Sequence, residues 1–166
     1  MSAITFKGSK VNTSGQLPEV GFVAPEFTLV KGDLSELSLS DLKGKNVILN
    51  IFPSLDTSVC AASVRKFNKE ASGMLNTVVL AVSADLPFAS TRFCTTEGIE
   101  NVIPVSVFRN PEFASKYGVL MIDGPLKGLL ARTVIVINPQ GKIEHSELVP
   151  EIAQEPDYQS AIGSIV

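Results

Sequence analysis

The fold is decided by residues 46–84, which read NVILNIFPSLDTSVCAASVRKFNKEASGMLNTVVLAVSA. The stretches 46–52 and 77–84 are nearly continuous apolar runs rich in Val and Ile, a pattern typical of strands covered on both faces. Between them, apolar side chains recur at helical spacing from Cys60 to Ala71. A strand, a helix and a second strand within about 40 residues predict a βαβ unit with parallel strands.

The segments on either side of this unit extend it into one α/β domain. Upstream, the pattern predicts a hairpin around Gly8 and then a strand, a turn and a capped helical turn over residues 25–45. Downstream it predicts a helix over 87–96, a strand over 103–108 and a short helix over 111–117. An antiparallel hairpin follows, with strands over 132–137 and 142–148 joined by NPQG. A last helix begins at about Pro156 and places Tyr158, Ile162 and Ile165 on one face. No repeat or linker divides the chain, so we predict one domain over residues 1–166, with a mixed central β-sheet flanked by helices and an N-terminal β-hairpin.

The composition narrows the class of protein. With 166 residues and 45% hydrophobic content, the chain has enough apolar side chains for one well-packed core. Its net charge of -3 offers no basic surplus for nucleic acid or an anionic membrane. The N-terminus lacks the apolar region of a secretory signal, and no apolar run approaches the roughly 18 residues of a membrane span, so we expect a cytoplasmic protein. In a reducing compartment, Cys60 and Cys94 are then free, metal-bound or catalytic rather than structural.

Cys60 stands where an α/β sheet places reactive groups. It follows the loop that begins at Pro53, beyond the carboxyl end of a buried strand, and residues 56–58 can each cap the helix that follows. A thiolate in the first turn of that helix meets unpaired N–H groups and the positive end of the helix dipole. The alternative is a small buried hydrophobe that packs beside Val64 and Phe67.

A helix terminus alone does not make a cysteine reactive. A free cysteine has a pKa of about 8.5 and a reactive one of about 6, a difference of about 3.4 kcal/mol, whereas a helix terminus contributes up to about 2 kcal/mol. A cation is therefore needed, and Arg65, Arg92 and Arg109 are placed for the surface or for local pairing. Arg132 instead opens the apolar strand ARTVIVI, where a buried charge needs an anion. Its alternative is a strand-edge residue whose head reaches water.

Pro53, Thr57 and Cys60 form the motif P-x3-T-x2-C after a hydrophobic strand, and this motif resembles the active site of peroxiredoxins. Arg132 matches the distant arginine of that family. The order of elements and the segment LLARTVIVINPQGKI are also similar, so the resemblance covers essentially the whole chain and implies a thioredoxin-like fold. Within the family, the chain resembles the atypical two-cysteine branch of thiol peroxidases, because Cys94 lies in the helix after the second strand of the βαβ unit.

The resemblance implies a role for each residue of the motif. The enzyme would reduce hydrogen peroxide and alkyl hydroperoxides to water and alcohols in antioxidant defence, with Cys60 as the peroxidatic cysteine that becomes a sulfenic acid. Thr57 would hydrogen-bond the thiolate and the peroxide, and its alternative role is helix capping. Pro53 would shield the site from water without adding a donor. Arg132 would stabilise the thiolate and the charge on the leaving oxygen.

The resemblance also makes Cys94 the resolving cysteine, which would form an intrachain disulfide with Cys60. Thioredoxin would reduce this disulfide. The enzyme would be a homodimer and would need no cofactor. From the sequence alone, Cys94 is equally well a half-buried spectator. A disulfide requires Cα atoms within about 7 Å, and two cysteines on separate helices do not meet that demand in the folded form. We therefore predict that the first turn of the Cys60 helix, the Cys94 segment, or both unwind in each cycle.

Other classes of function fit the sequence less well. Two cysteines and His145 form no metal-ligand pattern, and a cysteine hydrolase lacks a base because His145 is expected at the surface. The chain has no C-x-x-C pair for disulfide exchange and no Trp, the residue that glutathione peroxidases use. A non-enzymatic α/β binding domain with incidental thiols remains the alternative of a different class. The apolar residues of segment 117–122 form either a wall that favours alkyl hydroperoxides, a dimer interface or the core.

Overall fold

The computed structural model describes residues 1–165. The strands are β1 (Ala3–Phe6), β2 (Ser9–Asn12), β3 (Thr28–Lys31), β4 (Glu36–Ser38), β5 (Asn46–Ile51), β6 (Thr77–Ser83), β7 (Ile103–Ser106), β8 (Thr133–Ile137) and β9 (Ile143–Leu148). The helices are α1 (Ser58–Ala71), α2 (Pro87–Glu97), α3 (Glu112–Lys116) and α4 (Tyr158–Gly163), with a single 3₁₀ turn at Leu39–Leu42. None of these helices is long and apolar enough to cross a bilayer.

Seven of the strands form one mixed sheet in the order β4-β3-β7-β6-β5-β8-β9, and β1 pairs with β2 in a separate hairpin. The central strands β5, β6 and β7 are parallel, as the alternation of strands and helices predicts. Strand β8 runs antiparallel to β5, and its first residue, Thr133, lies opposite Ile51 at the end of β5. Arg132 therefore lies at the same sheet edge as the loop that leads from β5 to Cys60.

Apolar side chains fill both faces of the sheet. On one face, α1 packs with Cys60, Val64 and Phe67 turned inward, and Phe67 meets Tyr158 of α4 edge to face at 5.1 Å between ring centroids. Phe113 of α3 lies in the core of the opposite face. Coverage of both faces explains why every residue of β5 is buried.

The predicted N-terminal hairpin, the βαβ unit and the β8–β9 hairpin are confirmed. Three details differ. The short edge strand β4 was not expected, because three residues give too little alternation to detect. Strand β7 ends at Ser106, and Ile165 lies beyond the end of α4.

The segment 117–122 belongs mainly to the core and not to a substrate wall. Tyr117, Val119 and Met121 are fully buried. The Tyr117 ring stacks on Phe113, and its hydroxyl donates to the carbonyl of Pro25. Such well-packed side chains have no surface left for a substrate.

Candidate active site

Cys60 lies in the first turn of α1 and is completely buried. The helix begins after Thr57, whose backbone is extended, so the chain turns from the loop into the helix three residues before the cysteine. The thiol packs within the apolar cluster that includes Val64 and Phe67. Burial by itself fits both a reactive thiol and an apolar filler, so the neighbours of the sulfur decide its chemistry.

The neighbour of the sulfur is Arg132, which is only 1% exposed. Its Nη2 donates to the Sγ of Cys60 at 3.2 Å, and its Nε donates to the carbonyl oxygen of Ile152 at 2.8 Å. The alternative in which the Arg132 head reaches water is therefore wrong. Within residues 1–165 no carboxylate forms an ion pair with this guanidinium. A buried cation needs an anion, and the Cys60 sulfur as a thiolate is positioned to supply it.

The other arginines have the partners expected of surface residues. Arg65 of α1 forms a two-pronged ion pair with Glu97 of α2, at 2.9 and 3.0 Å. Arg109 pairs with Glu36, and Arg92 approaches Asp56 at 3.9 Å. None of these three side chains is buried, which leaves Arg132 as the buried arginine of the chain.

Pro53, Thr57 and Arg132 line one pocket of about 240 Å³ beside Cys60. Pro53 is buried and Thr57 is exposed. The Thr57 hydroxyl donates to the carbonyl of Ser54 at 2.9 Å, so in this arrangement it gives its proton to the loop and not to the sulfur. Thr57 occupies the cap position of α1, but its side chain makes no capping hydrogen bond.

The remaining walls of the pocket come from segments distant in sequence. They are Phe6 and Lys7 of the N-terminal hairpin, Ser58 and Val59 of α1, Leu126, Ile152 and Ala153. Sequence reasoning missed the hairpin and the segment after β9, because neither carries a motif. The interior of the pocket is largely apolar; Arg132 is its buried charged residue, and Lys7 is an exposed lining residue whose ammonium lies 5.4 Å from the centroid of the Phe6 ring.

Asp85 joins the two cysteine-bearing regions, a role that the sequence did not reveal. Leu86, and not Asp85, occupies the cap position of α2. The Asp85 carboxylate instead accepts hydrogen bonds from the Ser54 hydroxyl at 2.7 Å and from the Leu55 N–H at 2.8 Å. It thereby fastens the loop before Cys60 to the loop before α2.

Cys94 lies on α2, half-buried, and both cysteines are free thiols. Its side chain packs with Phe93 against the same apolar cluster that contains Cys60. This burial raises the pKa of the Cys94 thiol above its usual value. On its outer side Cys94 lines an open groove of about 660 Å³ between α2 and the β3–β4 turn.

His145 lies on β9 opposite Val136 and is half-buried, not at the surface as expected. Its Nε2 atom is buried and has no hydrogen-bond partner in the part of the chain that the structure describes. The cross-strand partner places this imidazole in the β8–β9 hairpin, and it makes no hydrogen bond to Cys60 within residues 1–165. The same residues contain no cluster of three or more metal-ligating side chains.

Comparison with known proteins gives a consistent result. Residues 19–162 match the Redoxin family model. The chain is 53% identical over 165 residues to proteins named thiol peroxidase from Mycobacterium bovis and Mycobacterium tuberculosis, with 99% of each chain covered. A peroxiredoxin-like protein from Aquifex aeolicus has a TM-score of 0.93 at 41% identity, covering 98% of this chain and 95% of its own. A thiol peroxidase from Chromobacterium violaceum shares the fold with a TM-score of 0.87 at 19% identity, covering 97% and 93%.

Proposed function

The chain belongs to the Redoxin family and is a thiol-dependent peroxidase of the thiol peroxidase branch of peroxiredoxins, and from that premise we propose that Cys60 is its peroxidatic cysteine. The observation that carries the proposal is the buried contact between the Cys60 sulfur and Nη2 of Arg132. A guanidinium in an apolar interior favours the thiolate over the thiol, because the attraction is strong where water is absent.

In the first step, the Cys60 thiolate attacks one oxygen of the peroxide. A sulfur–oxygen bond forms and the oxygen–oxygen bond breaks, so the cysteine is oxidised to a sulfenic acid and the peroxide is reduced. The leaving oxygen takes a proton and departs as water or an alcohol. Arg132 Nη1 has no hydrogen-bond partner in the described chain, so it is available to donate to this oxygen as negative charge develops.

Pro53 and Thr57 complete the proposed site. Pro53 forms a buried wall that adds no competing N–H donor. Thr57 binds the peroxide when its hydroxyl rotates away from the Ser54 carbonyl, and its oxygen can accept a hydrogen bond without rotation. The apolar pocket walls accept the organic part of an alkyl hydroperoxide, and hydrogen peroxide is small enough to enter the same space.

In the second step, Cys94 is proposed to attack the sulfenic acid, and water leaves as an intrachain Cys60–Cys94 disulfide forms. The raised pKa of Cys94 keeps it protonated while α2 is folded. Unwinding of the helix around Cys94 exposes the thiol to water, and this exposure lowers its pKa. The same unwinding frees the segment to move toward Cys60. A dithiol protein of the thioredoxin type then reduces the disulfide.

Three further properties are part of the proposal. Two free cysteines agree with a reducing, cytoplasmic location. Large apolar side chains are exposed after the carboxyl ends of β6 and β7, which favours a homodimer; they are Leu86, Phe88 and Phe108. The third property is a single domain over the chain, which is supported by the central sheet, because within residues 1–165 it takes strands from both halves of the sequence.

The test is a thiol count after addition of one equivalent of hydroperoxide to reduced protein. We expect both thiols to disappear without a dimer-sized band on a non-reducing gel. Cys60→Ser should abolish peroxide consumption, whereas Cys94→Ser should complete one turnover and then over-oxidise or form intermolecular adducts. Rapid consumption that survives Cys60→Ser would show that Cys60 is not the catalytic thiol.

A further inference from the structure

The carboxylate of Glu151 accepts four hydrogen bonds just outside the active-site pocket. Its Oε1 accepts from the N–H groups of Lys7 at 2.8 Å and Ala153 at 3.2 Å. Its Oε2 accepts from the Thr5 hydroxyl at 2.6 Å and the Gly8 N–H at 3.2 Å. Three of these donors belong to β1 and its turn, so a single side chain fastens the N-terminal hairpin to the segment after β9.

The backbone on both sides of Glu151 is fastened to the same strand. Thr5 N donates to the carbonyl of Pro150 at 2.8 Å, and Ile152 N donates to the carbonyl of Thr5 at 2.9 Å. Ile152 is buried. Its position is therefore set by β1 through its own N–H and through the carboxylate of the preceding residue.

The carbonyl of Ile152 is the oxygen that accepts from Nε of Arg132. A guanidinium is planar and its nitrogens have a fixed geometry, so a bond at Nε determines where Nη2 points. Within residues 1–165, Arg132 has two side-chain hydrogen bonds, one to this carbonyl and one to the Cys60 sulfur. The Ile152 carbonyl is thus the oxygen that aims the guanidinium at the thiol.

We propose that Glu151 is a positioning residue for the peroxide reaction: by fixing the Ile152 carbonyl, it holds the Arg132 guanidinium against the Cys60 sulfur. The inference rests on the roles proposed above for Cys60 and Arg132. Glu151 does not contact the sulfur, and its effect passes through one peptide group and one side chain. The same bonds fix two pocket walls, because the hairpin supplies Phe6 and Lys7 and the fastened segment supplies Ile152 and Ala153.

The negative charge of Glu151 is essential to this arrangement. Its four donors hold the pKa of the carboxyl at about 2, so the group is ionised at neutral pH and has acceptors for all four donors. The amide of Gln has the same size but one acceptor oxygen, and its NH₂ group would face donors. Glu151→Gln therefore removes some of the four hydrogen bonds without changing the volume of the side chain.

The experiment measures the rate constant for Cys60 oxidation by hydrogen peroxide in the reduced full-length protein, by stopped flow at a series of pH values. We expect Glu151→Gln to lower the rate at pH 7 by about tenfold, because misplacement of a catalytic contact by about 1 Å can cost about 100-fold and this variant keeps part of the hydrogen bonding. This decrease in rate should become smaller as the pH rises, because at high pH the thiolate forms even when the cation is displaced. Thr5→Val, which removes one of the four donors, should give a smaller loss in the same direction.

Asp123→Asn is the matched control, because Asp123 fastens the other strand of the same hairpin. Its two oxygens accept from the backbone N–H and the side-chain amide of Asn12 at 2.8 and 2.7 Å. The segment around Asp123 makes no hydrogen bond to Arg132 in the described chain. We expect this variant to react within about twofold of the wild type at every pH, as expected for a contact that does not reach the reacting atoms. Arg132 contacts the thiol, Lys7 lines the pocket and Tyr158 lies close enough to Arg132 to interact with its charge; all three are unchanged in these variants.

Three results would overturn the inference: a wild-type rate in Glu151→Gln, an equal loss in Asp123→Asn, or a loss that does not vary with pH. If Glu151→Gln does not fold, Thr5→Val decides, and a wild-type rate in that variant overturns it. Failure of the proposed function is a separate outcome, because it requires peroxide consumption to survive Cys60→Ser.

Discussion

Replacement of Arg132 by Met tests the central electrostatic contact of the site. Met has a similar length and no charge, so the change removes the cation and keeps most of the buried volume. Two unit charges 3.2 Å apart attract by about 5 kcal/mol at an effective dielectric constant of about 20. The guanidinium charge is spread over several atoms, and loss of a buried charge partner costs about 2–5 kcal/mol in comparable pairs. At about 1.4 kcal/mol per factor of ten, we expect the oxidation of Cys60 to slow by at least about 30-fold at pH 7.

The assay is single-turnover stopped flow with excess hydrogen peroxide, combined with an ultraviolet titration of the thiolate. Arg132→Lys separates charge from geometry: Lys keeps the cation but cannot bind the Ile152 carbonyl and the sulfur in the same fixed fork, so an intermediate rate is expected. Arg65→Met is the matched control, since Arg65 lies on the Cys60 helix in an exposed pair with Glu97 and its loss should leave the rate unchanged. If folded Arg132→Met reacts within threefold of the wild type, the contact does not activate Cys60.

Three further predictions concern Asp85, Glu151 and the helices that carry the two cysteines. Asp85→Asn weakens the hydrogen bonds to Ser54 and Leu55 in the loop before Cys60. Oxidation of Cys60 should therefore slow, and the fraction of protein that is over-oxidised at high peroxide should fall. An unchanged fraction by mass spectrometry would contradict this. The Glu151 pKa of about 2 lies below its ordinary 4.5, so its stabilising effect is complete above about pH 4.5 and disappears toward pH 2. Thermal melts should therefore show a steeper loss of stability across this range in the wild type than in Glu151→Gln, and parallel curves would refute the assignment. Hydrogen exchange should be faster around Cys60, Cys94 or both in the oxidised protein, and equal protection in the two redox states would argue against unwinding.

The sequence predicts the central part of the fold because its elements leave strong local patterns. Strands β5 and β6 are nearly continuous apolar runs, α1 has a clear apolar stripe, and NPQG marks the turn between β8 and β9. The position of Cys60 at the start of α1 follows from these patterns alone. The pairing of Cys60 with Arg132 does not, because 72 residues separate them and the antiparallel register of β8 on β5 brings them together.

The pocket walls were not predictable for a related reason. Phe6 and Lys7 reach the site through two backbone bonds of Thr5 and through bonds from the hairpin to the Glu151 carboxylate, and neither kind of contact forms a motif in the sequence. The burial of Arg132 was also not predictable from the strand pattern, because a charged residue at the end of a strand ordinarily points to water. It becomes intelligible only when the sulfur and the Ile152 carbonyl are seen as its partners.

The carboxylates of Asp85 and Glu151 both hold segments of the site in place, but they hold different segments. Asp85 connects the loop before Cys60 with the loop before α2, and these loops lead into the two helices of which one or both are proposed to unwind when the disulfide forms. Glu151 connects the hairpin with the segment that holds Arg132, and neither of these carries a cysteine. Unwinding of α1 or α2 can therefore break the Asp85 bonds and leave the Glu151 bonds intact. The guanidinium would then stay in position while Cys60 moves away to meet Cys94, and reduction of the disulfide would return the sulfur to a site that is already assembled.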